Sequence, residues 1–181
     1  GFDVIIVETV GVGQSEVAGA GLVDMFLLLL SPGGGGELQG IKRGIMEIAD
    51  LVIVNKADGD FINQAKIAAS NCKNALHLMR PKSADWSVDV LETSALNSTG
   101  IEEVWQNIQS FKNTMQKNGE FEARREEQNI AAIWSEVSEL LTDQIRARKS
   151  DKTSVLENAV KNKQITPLAA AKELLASVLG K

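Results

Sequence analysis

Asn55-Lys56-Ala57-Asp58 directly follows the apolar run Leu51-Val52-Ile53-Val54, and the types and order of these four residues suit recognition of guanine. A carboxylate at Asp58 can accept two hydrogen bonds, from N1–H and from the exocyclic amine of that base. Adenine lacks this donor pair and would leave a buried carboxylate unpaired, so discrimination can exceed what shape alone achieves. Lys56 can lay its aliphatic stem over the base, and Asn55 can tie the loop to neighbouring backbone. A second piece follows Asp89-Val90-Leu91-Glu92: the segment Thr93-Ser94-Ala95-Leu96, where a backbone N–H near Ala95 can donate to guanine O6. A third lies upstream, where Glu8 closes the run Asp-Val-Ile-Ile-Val-Glu of residues 3–8. An acid there suits Mg²⁺, usually held through water and bridging the β- and γ-phosphates of GTP. Gly11, with no side chain to obstruct approach, lets its N–H reach the γ-phosphate. Taken singly, Asn-Lys-x-Asp could be an exposed turn, and Ser-Ala-Leu carries almost no information. Their order, each behind an apolar strand, is what points to a guanine-nucleotide site.

The elements that position these residues read as an α/β domain. Residues 3–8, 25–30 and 51–54 are too continuously apolar for half-exposed strands and suit parallel strands buried on both faces. Open sheets of that kind bind ligands at the C-terminal ends of their strands, which is where Glu8 and Asn55 fall. Residues 25–30 read as the central strand. Helical spacing predicts crossover helices over 38–49 (Leu38, Ile41, Ile45, Ile48), 61–73 and 100–117. The last places Ile101, Val104, Trp105, Ile108 and Phe111 on one face, and Asn118-Gly119 stops it. The expected division is therefore a mostly parallel sheet with crossover helices over 1–119 and an all-helical extension over 120–181. In the extension, residues 122–149 are charged and helix-forming, with Ile130, Ile133, Trp134, Val137, Leu140, Leu141 and Ile145 at helical spacing. The segments 155–160 and 167–179 are further helices, the second begun by Thr166 as N-cap and Pro167 at the first helical position. The apolar stripe needs a partner, either these helices or a second copy of the chain.

Composition narrows the classes. The chain has 181 residues, 44% of them hydrophobic, and a formal net charge of −5, which argues against nucleic acid as a generic electrostatic partner. A single cysteine, Cys72, excludes an internal disulfide and suits a reducing cytosol, and an organelle address would lie upstream of Gly1. His77 reads as lying in a short strand, and packing is expected of both Cys72 and His77. The most apolar window, residues 25–30, is far shorter than the roughly 20 residues needed to span a bilayer.

Three blocks carry a family resemblance: Glu8-Thr9-Val10-Gly11-Val12-Gly13-Gln14-Ser15-Glu16, the stretch from Glu37-Leu38-Gln39-Gly40 to Ala49-Asp50, and Asn55-Lys56-Ala57-Asp58-Gly59. The chain resembles the MeaB/ArgK-type GTPases, chaperones of cobalamin-dependent acyl-CoA mutases such as methylmalonyl-CoA mutase. The resemblance implies a P-loop nucleotide-hydrolase fold and Mg²⁺ and GTP/GDP as cofactors. Glu8 would be the Mg²⁺-linked acid, Gly11 the γ-phosphate sensor, and residues 12–16 the start of switch II. Asn55, Lys56, Ala57 and Asp58 would read guanine, with Ser94, Ala95 and Leu96 closing over it. The loop carrying Glu37, Gln39 and Lys42 would couple nucleotide state to the mutase. The C-terminal helices would form the arm of a homodimer. Two departures stand out. Gly36 replaces the acid usual before Glu-Leu-Gln-Gly, which removes a contact. No Gly-x-x-x-x-Gly-Lys-Ser/Thr segment is present, since Gly35 to Gly40 is followed by Ile41. A fragment of a longer GTPase, poor at binding GTP by itself and inactive in hydrolysis, is therefore expected. Val12 stands where many such enzymes carry the water-orienting Gln; Gln14 is a candidate for that role, with a switch contact as its alternative, and slow turnover accelerated by a partner is the expectation. A non-hydrolysing dimerisation module and a metal-insertion GTPase are the alternatives. An older description of the family as amino-acid transport kinases finds no substrate site here.

Overall fold

The computed structural model describes residues 1–9, 19–32, 43–147 and 151–179. Gly11, Gln14, Glu37, Gln39 and Lys42 lie outside the described residues, as does the first half of the helix expected over 38–49. Among the described residues the order is β1 (Leu27–Leu30), α1 (Arg43–Ile48), β2 (Leu51–Val54), a 3₁₀ turn (Gly59–Phe61), α2 (Ile62–His77), β3 (Asp89–Glu92), α3 (Ile101–Asn118), α4 (Glu120–Ala147), α5 (Asp151–Lys161) and α6 (Pro167–Leu179). The described strands form a parallel sheet in the order β1-β2-β3, with Leu27 opposite Leu51 and Leu51 opposite Asp89. Crossover helices connect them, as parallel pairing demands. The chain divides into two compact units, Gly1–Gln128 and Asn129–Lys181.

In the first unit all four residues of β2 are buried, which is why that strand is apolar without alternation. Helix α2 meets the sheet through Ala65, Ala68, Ala69 and Cys72, all buried and spaced i, i+3, i+4, i+7. Small side chains let the helix backbone approach closely. Cys72 is packed in this core, and burial pushes its thiol pKa up. A second cluster joins Phe111 and Met115 of α3 to Phe121 of α4, with Trp86 edge-on to Phe111 at 5.0 Å. Val104 and Ile108 are half-buried on the same side of α3, whereas Ile101 and Trp105 are exposed and Met115 carries the packing instead. Gly119 ends α3 at φ 82°, a left-handed cap that glycine adopts without steric cost.

Three expectations need correction. Residues 3–8 form no strand and are exposed, Ile6 to 88%. A strand exists only through its hydrogen-bonding neighbours, and no described strand pairs with this run. The Leu27–Leu30 strand lies at one side of the described sheet and is only partly buried, while β2 is central. His77 is the last residue of α2 and is exposed, because that helix runs four residues beyond the expected stop at 73.

The N-terminal ends of the strands are pinned by the buried carboxylate of Asp50, to which sequence reasoning gave no role. Asp50, 3% exposed, accepts hydrogen bonds from the Phe26 N–H at 2.8 Å, from Lys82 Nζ at 2.7 Å and from Arg124 Nη1 at 3.1 Å. The indole N–H of Trp86 donates to its carbonyl at 2.8 Å. Beside it Arg125 grips Asp24 with two bonds of 2.7 Å and holds that carboxyl below the usual carboxylate range. Through these contacts the first two turns of α4 belong with the sheet unit.

In the second unit Leu156 of α5 and Ala170 of α6 are buried. The Ala169 N–H donates to Thr166 Oγ1 at 3.2 Å, an N-cap directly before Pro167. Ile130, Ile133, Trp134 and Leu140 of α4 are all exposed.

Candidate functional site

The in-register pairing of Val54 with Glu92 sets the C-terminal ends of β2 and β3 side by side, so the loops that follow must meet. The Thr93 N–H donates to the Val54 carbonyl at 2.9 Å and the Ala57 N–H to the Thr93 carbonyl at 2.8 Å, which carries the ladder past both strands. The Asn55 N–H donates to the Leu30 carbonyl at 2.9 Å and ties the same loop to β1. Asn55 Oδ1 in turn accepts from the Ala95 N–H at 3.1 Å and from the Thr93 hydroxyl at 3.3 Å. Thr93 and Ser94 are buried, so their polar groups must be satisfied within the protein.

Asp58 is joined to the opposite loop directly. The Ser94 hydroxyl donates to Asp58 Oδ2 and accepts from the Asn97 N–H at 3.0 Å. The half-buried carboxylate therefore has one oxygen held by the protein itself. Lys56 sits at φ 61°, a left-handed conformation uncommon for a residue with a side chain, and is exposed. Ala95 and Leu96 are also exposed.

The structure thus brings Asn55, Ala57, Asp58, Ser94 and Ala95 together at one end of the sheet, with Lys56 and Leu96 exposed beside them. Chemically this is a carboxylate acceptor flanked by backbone donors and an aliphatic stem, the set a flat heterocycle with adjacent N–H groups requires. The Ala95 N–H, expected to face O6 of a base, is engaged by Asn55 here. Thr93 was not singled out by sequence reasoning. The signal was its place, directly after a buried strand and next to Ser94, where a hydroxyl can reach across to Asn55.

Glu8 is not part of this cluster and is exposed. Among the described residues no group of three or more His, Cys, Asp or Glu could hold a metal ion. Mg²⁺ is commonly held by one or two carboxylates together with substrate phosphates and waters, so a single acid such as Glu8 fits as a protein ligand. No helix among the described residues is long and apolar enough to cross a membrane.

Comparison with known proteins bears on this arrangement. GTPase ArgK of Escherichia coli K12 is 39% identical over 176 residues, covering 96% of this chain and 53% of that protein. The mouse protein described as methylmalonic aciduria type A homolog, mitochondrial, is 42% identical over 177 residues, covering 97% of this chain and 43% of its own length. A crystal structure described as LAO/AO transport system kinase superposes with a TM-score of 0.73 at 36% identity, over 99% of this chain and 58% of that one. The chain thus spans about half the length of its relatives. The match to a solved chain supports the α/β fold with parallel strands and helices. The family profile described as methylmalonyl Co-A mutase-associated GTPase MeaB matches residues 1–150. With that profile over most of the 181 residues, and relatives sharing about two residues in five, the chain belongs to the MeaB family of GTPases.

Proposed function

We propose that this chain carries the guanine-reading half of a GTP-binding and GTP-hydrolysing chaperone for a cobalamin-dependent acyl-CoA mutase of the methylmalonyl-CoA type. The observation that carries the reading is the joining of Asn55 and Asp58 to Ala95 and Ser94 at the C-terminal ends of β2 and β3, with Asp58 held by Ser94. Asp58 accepts from N1–H and the exocyclic amine of guanine, and the Lys56 stem lies along the base. On binding, guanine O6 shares the Ala95 N–H with Asn55 or takes the N–H of Leu96. Glu8 would hold Mg²⁺ through water, the ion supplying charge neutralisation between the β- and γ-phosphates. Gly11 senses the γ-phosphate, and Gln14 orients water, since the Val12 side chain cannot polarise it. Turnover is accordingly slow without a partner, and Glu37, Gln39 and Lys42 couple nucleotide state to the mutase. The name of the mouse relative, which refers to methylmalonic aciduria, and the name of the family support the partner assignment. A single buried thiol fits a reducing compartment. The kinase description of the solved neighbour does not transfer here, because a carboxylate at the base favours guanine over the adenine of an ATP-driven kinase.

Four exposed apolar side chains along one stretch of α4, Ile130, Ile133, Trp134 and Leu140, support a homodimer built through the C-terminal helices. Replacing Trp134 by Glu is expected to yield a monomer in sedimentation velocity.

Calorimetric titration tests the main reading. GDP, with ADP as control, is titrated into this chain and into a form extended to the length of its relatives. Guanine-selective, Mg²⁺-dependent binding by the extended form is the expected result, with weak binding and no hydrolysis by the chain alone. Equal affinity for GDP and ADP would overturn it.

A further inference from the structure

We infer that Gly100 is a positioning residue for base selection, acting through the loop that orients Asp58; this rests on the guanine reading above. Residues 94 and 99 form an isolated antiparallel bridge, the Ser94 N–H donating to the Thr99 carbonyl at 2.9 Å and the Thr99 N–H to the Ser94 carbonyl at 3.0 Å. The bridge closes the turn that holds Ala95, Leu96 and Asn97, with Ser98 in a left-handed conformation at φ 54°. Gly100 follows at φ 76° and leads directly into α3. A Cβ at this position would stand 2.5 Å from the Glu92 carbonyl oxygen and 3.2 Å from Thr93 Cγ2. The obstacle is backbone of β3, not the movable end of a side chain, so the chain crosses the strand at a distance that glycine alone permits.

Which side yields when a methyl group is added follows from the anchoring. Glu92 is paired with Val54 in the ladder, and β2 is wholly buried. Helix α3 is fixed by the buried Phe111 and Met115. Between these two fixed elements lie residues 93–99, and they take up the displacement. Ser94 is in that segment, and its hydroxyl is the group that holds Asp58 Oδ2. A methyl group at position 100 therefore frees the carboxylate to rotate without touching it.

The consequence falls on one contact of the base more than on the others. Inosine keeps N1–H and O6 but lacks the exocyclic amine, so the ratio of GDP to IDP affinity reports how well Asp58 is aimed at that amine. A hydrogen bond to a charged group corresponds to about 10- to 150-fold in affinity. In the extended form, Gly100→Ala is expected to weaken GDP binding about tenfold and to bring the GDP/IDP ratio down toward one.

Gly119→Ala is the control. It imposes the same left-handed strain at φ 82° but has nothing within 4 Å of the added Cβ and lies at the far end of α3. It is expected to lower stability and to leave the GDP/IDP ratio unchanged. If Gly100→Ala does not fold, Thr99→Pro removes one donor of the bridge while leaving Gly100 in place, and the same narrowing is expected. A variant that folds and keeps the wild-type ratio overturns the inference. Wild-type protein that binds GDP and ADP alike overturns the guanine reading instead, so the two failures are distinguishable.

Discussion

Replacing Asn55 by Ala tests whether the base loops are held together before any nucleotide arrives. Two hydrogen bonds end on Asn55 Oδ1, from the Ala95 N–H at 3.1 Å and the Thr93 hydroxyl at 3.3 Å. Their worth differs because their surroundings differ. Thr93 is 2% exposed, so its hydroxyl loses its partner with little access to water, at a cost of about 1–3 kcal/mol. Ala95 is exposed, and its N–H can turn to solvent, which adds about 0.5 kcal/mol or less. The sum, about 1–3.5 kcal/mol, shifts a urea midpoint by roughly 1 M for a slope of about 2 kcal/mol per molar.

Amide exchange locates the change. The Ala95 N–H should lose protection in Asn55→Ala, while the Thr93 N–H, bonded to the Val54 carbonyl, keeps it. Asn55→Asp retains an acceptor in the same place and should preserve most of the Ala95 protection. An unchanged midpoint together with unchanged Ala95 exchange would refute the view that this side chain joins the loops.

Asp50→Asn is expected to destabilise the first unit by about 2–3 kcal/mol in denaturant titration, because the buried site then presents an amide N–H to two cationic donors. The figure sits below the range for fully buried pairs because Lys82 and Arg124 are partly exposed and can turn to water. Thr166→Ala removes the cap of α6 and should cost about 1 kcal/mol, read as a lower thermal midpoint by circular dichroism. The Asp24 carboxyl is held below its ordinary value chiefly by the hydrogen bond from Arg125. Its contribution is therefore present above the ordinary carboxylate pKa and is lost as pH falls through the lowered one. Both partners are largely exposed, so wild type should exceed Asp24→Asn by only about 0.2–1 kcal/mol at pH 7. The difference should shrink from about pH 4 downward in urea titrations at stepped pH.

What could be read from sequence and what could not separate along physical lines. The β2 run and its Asn-Lys-x-Asp end were legible because a strand buried on both faces is apolar without interruption and stops where the chain turns polar. The start of α6 was legible for the same local reason: Thr166 and Pro167 specify a helix start by themselves. Residues 3–8 have the same apolar signature as β2 yet form no strand, since pairing is supplied by neighbours and is not encoded in the run. The Asp50 cluster was invisible, because Phe26, Lys82 and Arg124 are 24, 32 and 74 residues away from it and none stands in a motif. Asp58 and Ser94, which the fold brings into contact, were singled out by type and order, whereas the contacts of Thr93 and Gly100 depend on distances that only the fold creates.

The placement of these contacts ties the loops after β2 and β3 to the fold of the first unit. Strand β2 is four residues long, about 13 Å, and both of its ends are tied down. At its N-terminal end the Asp50 N–H donates to the Phe26 carbonyl at 2.8 Å while the Asp50 carboxylate accepts from the Phe26 N–H, Lys82 and Arg124. At its C-terminal end the Asn55 N–H continues the ladder to Leu30, and the Asn55 side chain reaches across to Ala95. A strand so short cannot shift its register without breaking one of these ends, so the positions of Asn55 and Asp58 are set by the folding of the first unit. On the guanine reading proposed above, the entropy of ordering these loops is lost on folding and not again on binding, which would favour affinity for the base. Glu8 stands differently, exposed and outside the sheet. On the guanine reading proposed above, the residues that select the base are therefore set by the fold of the first unit, whereas Glu8 is placed by none of these contacts.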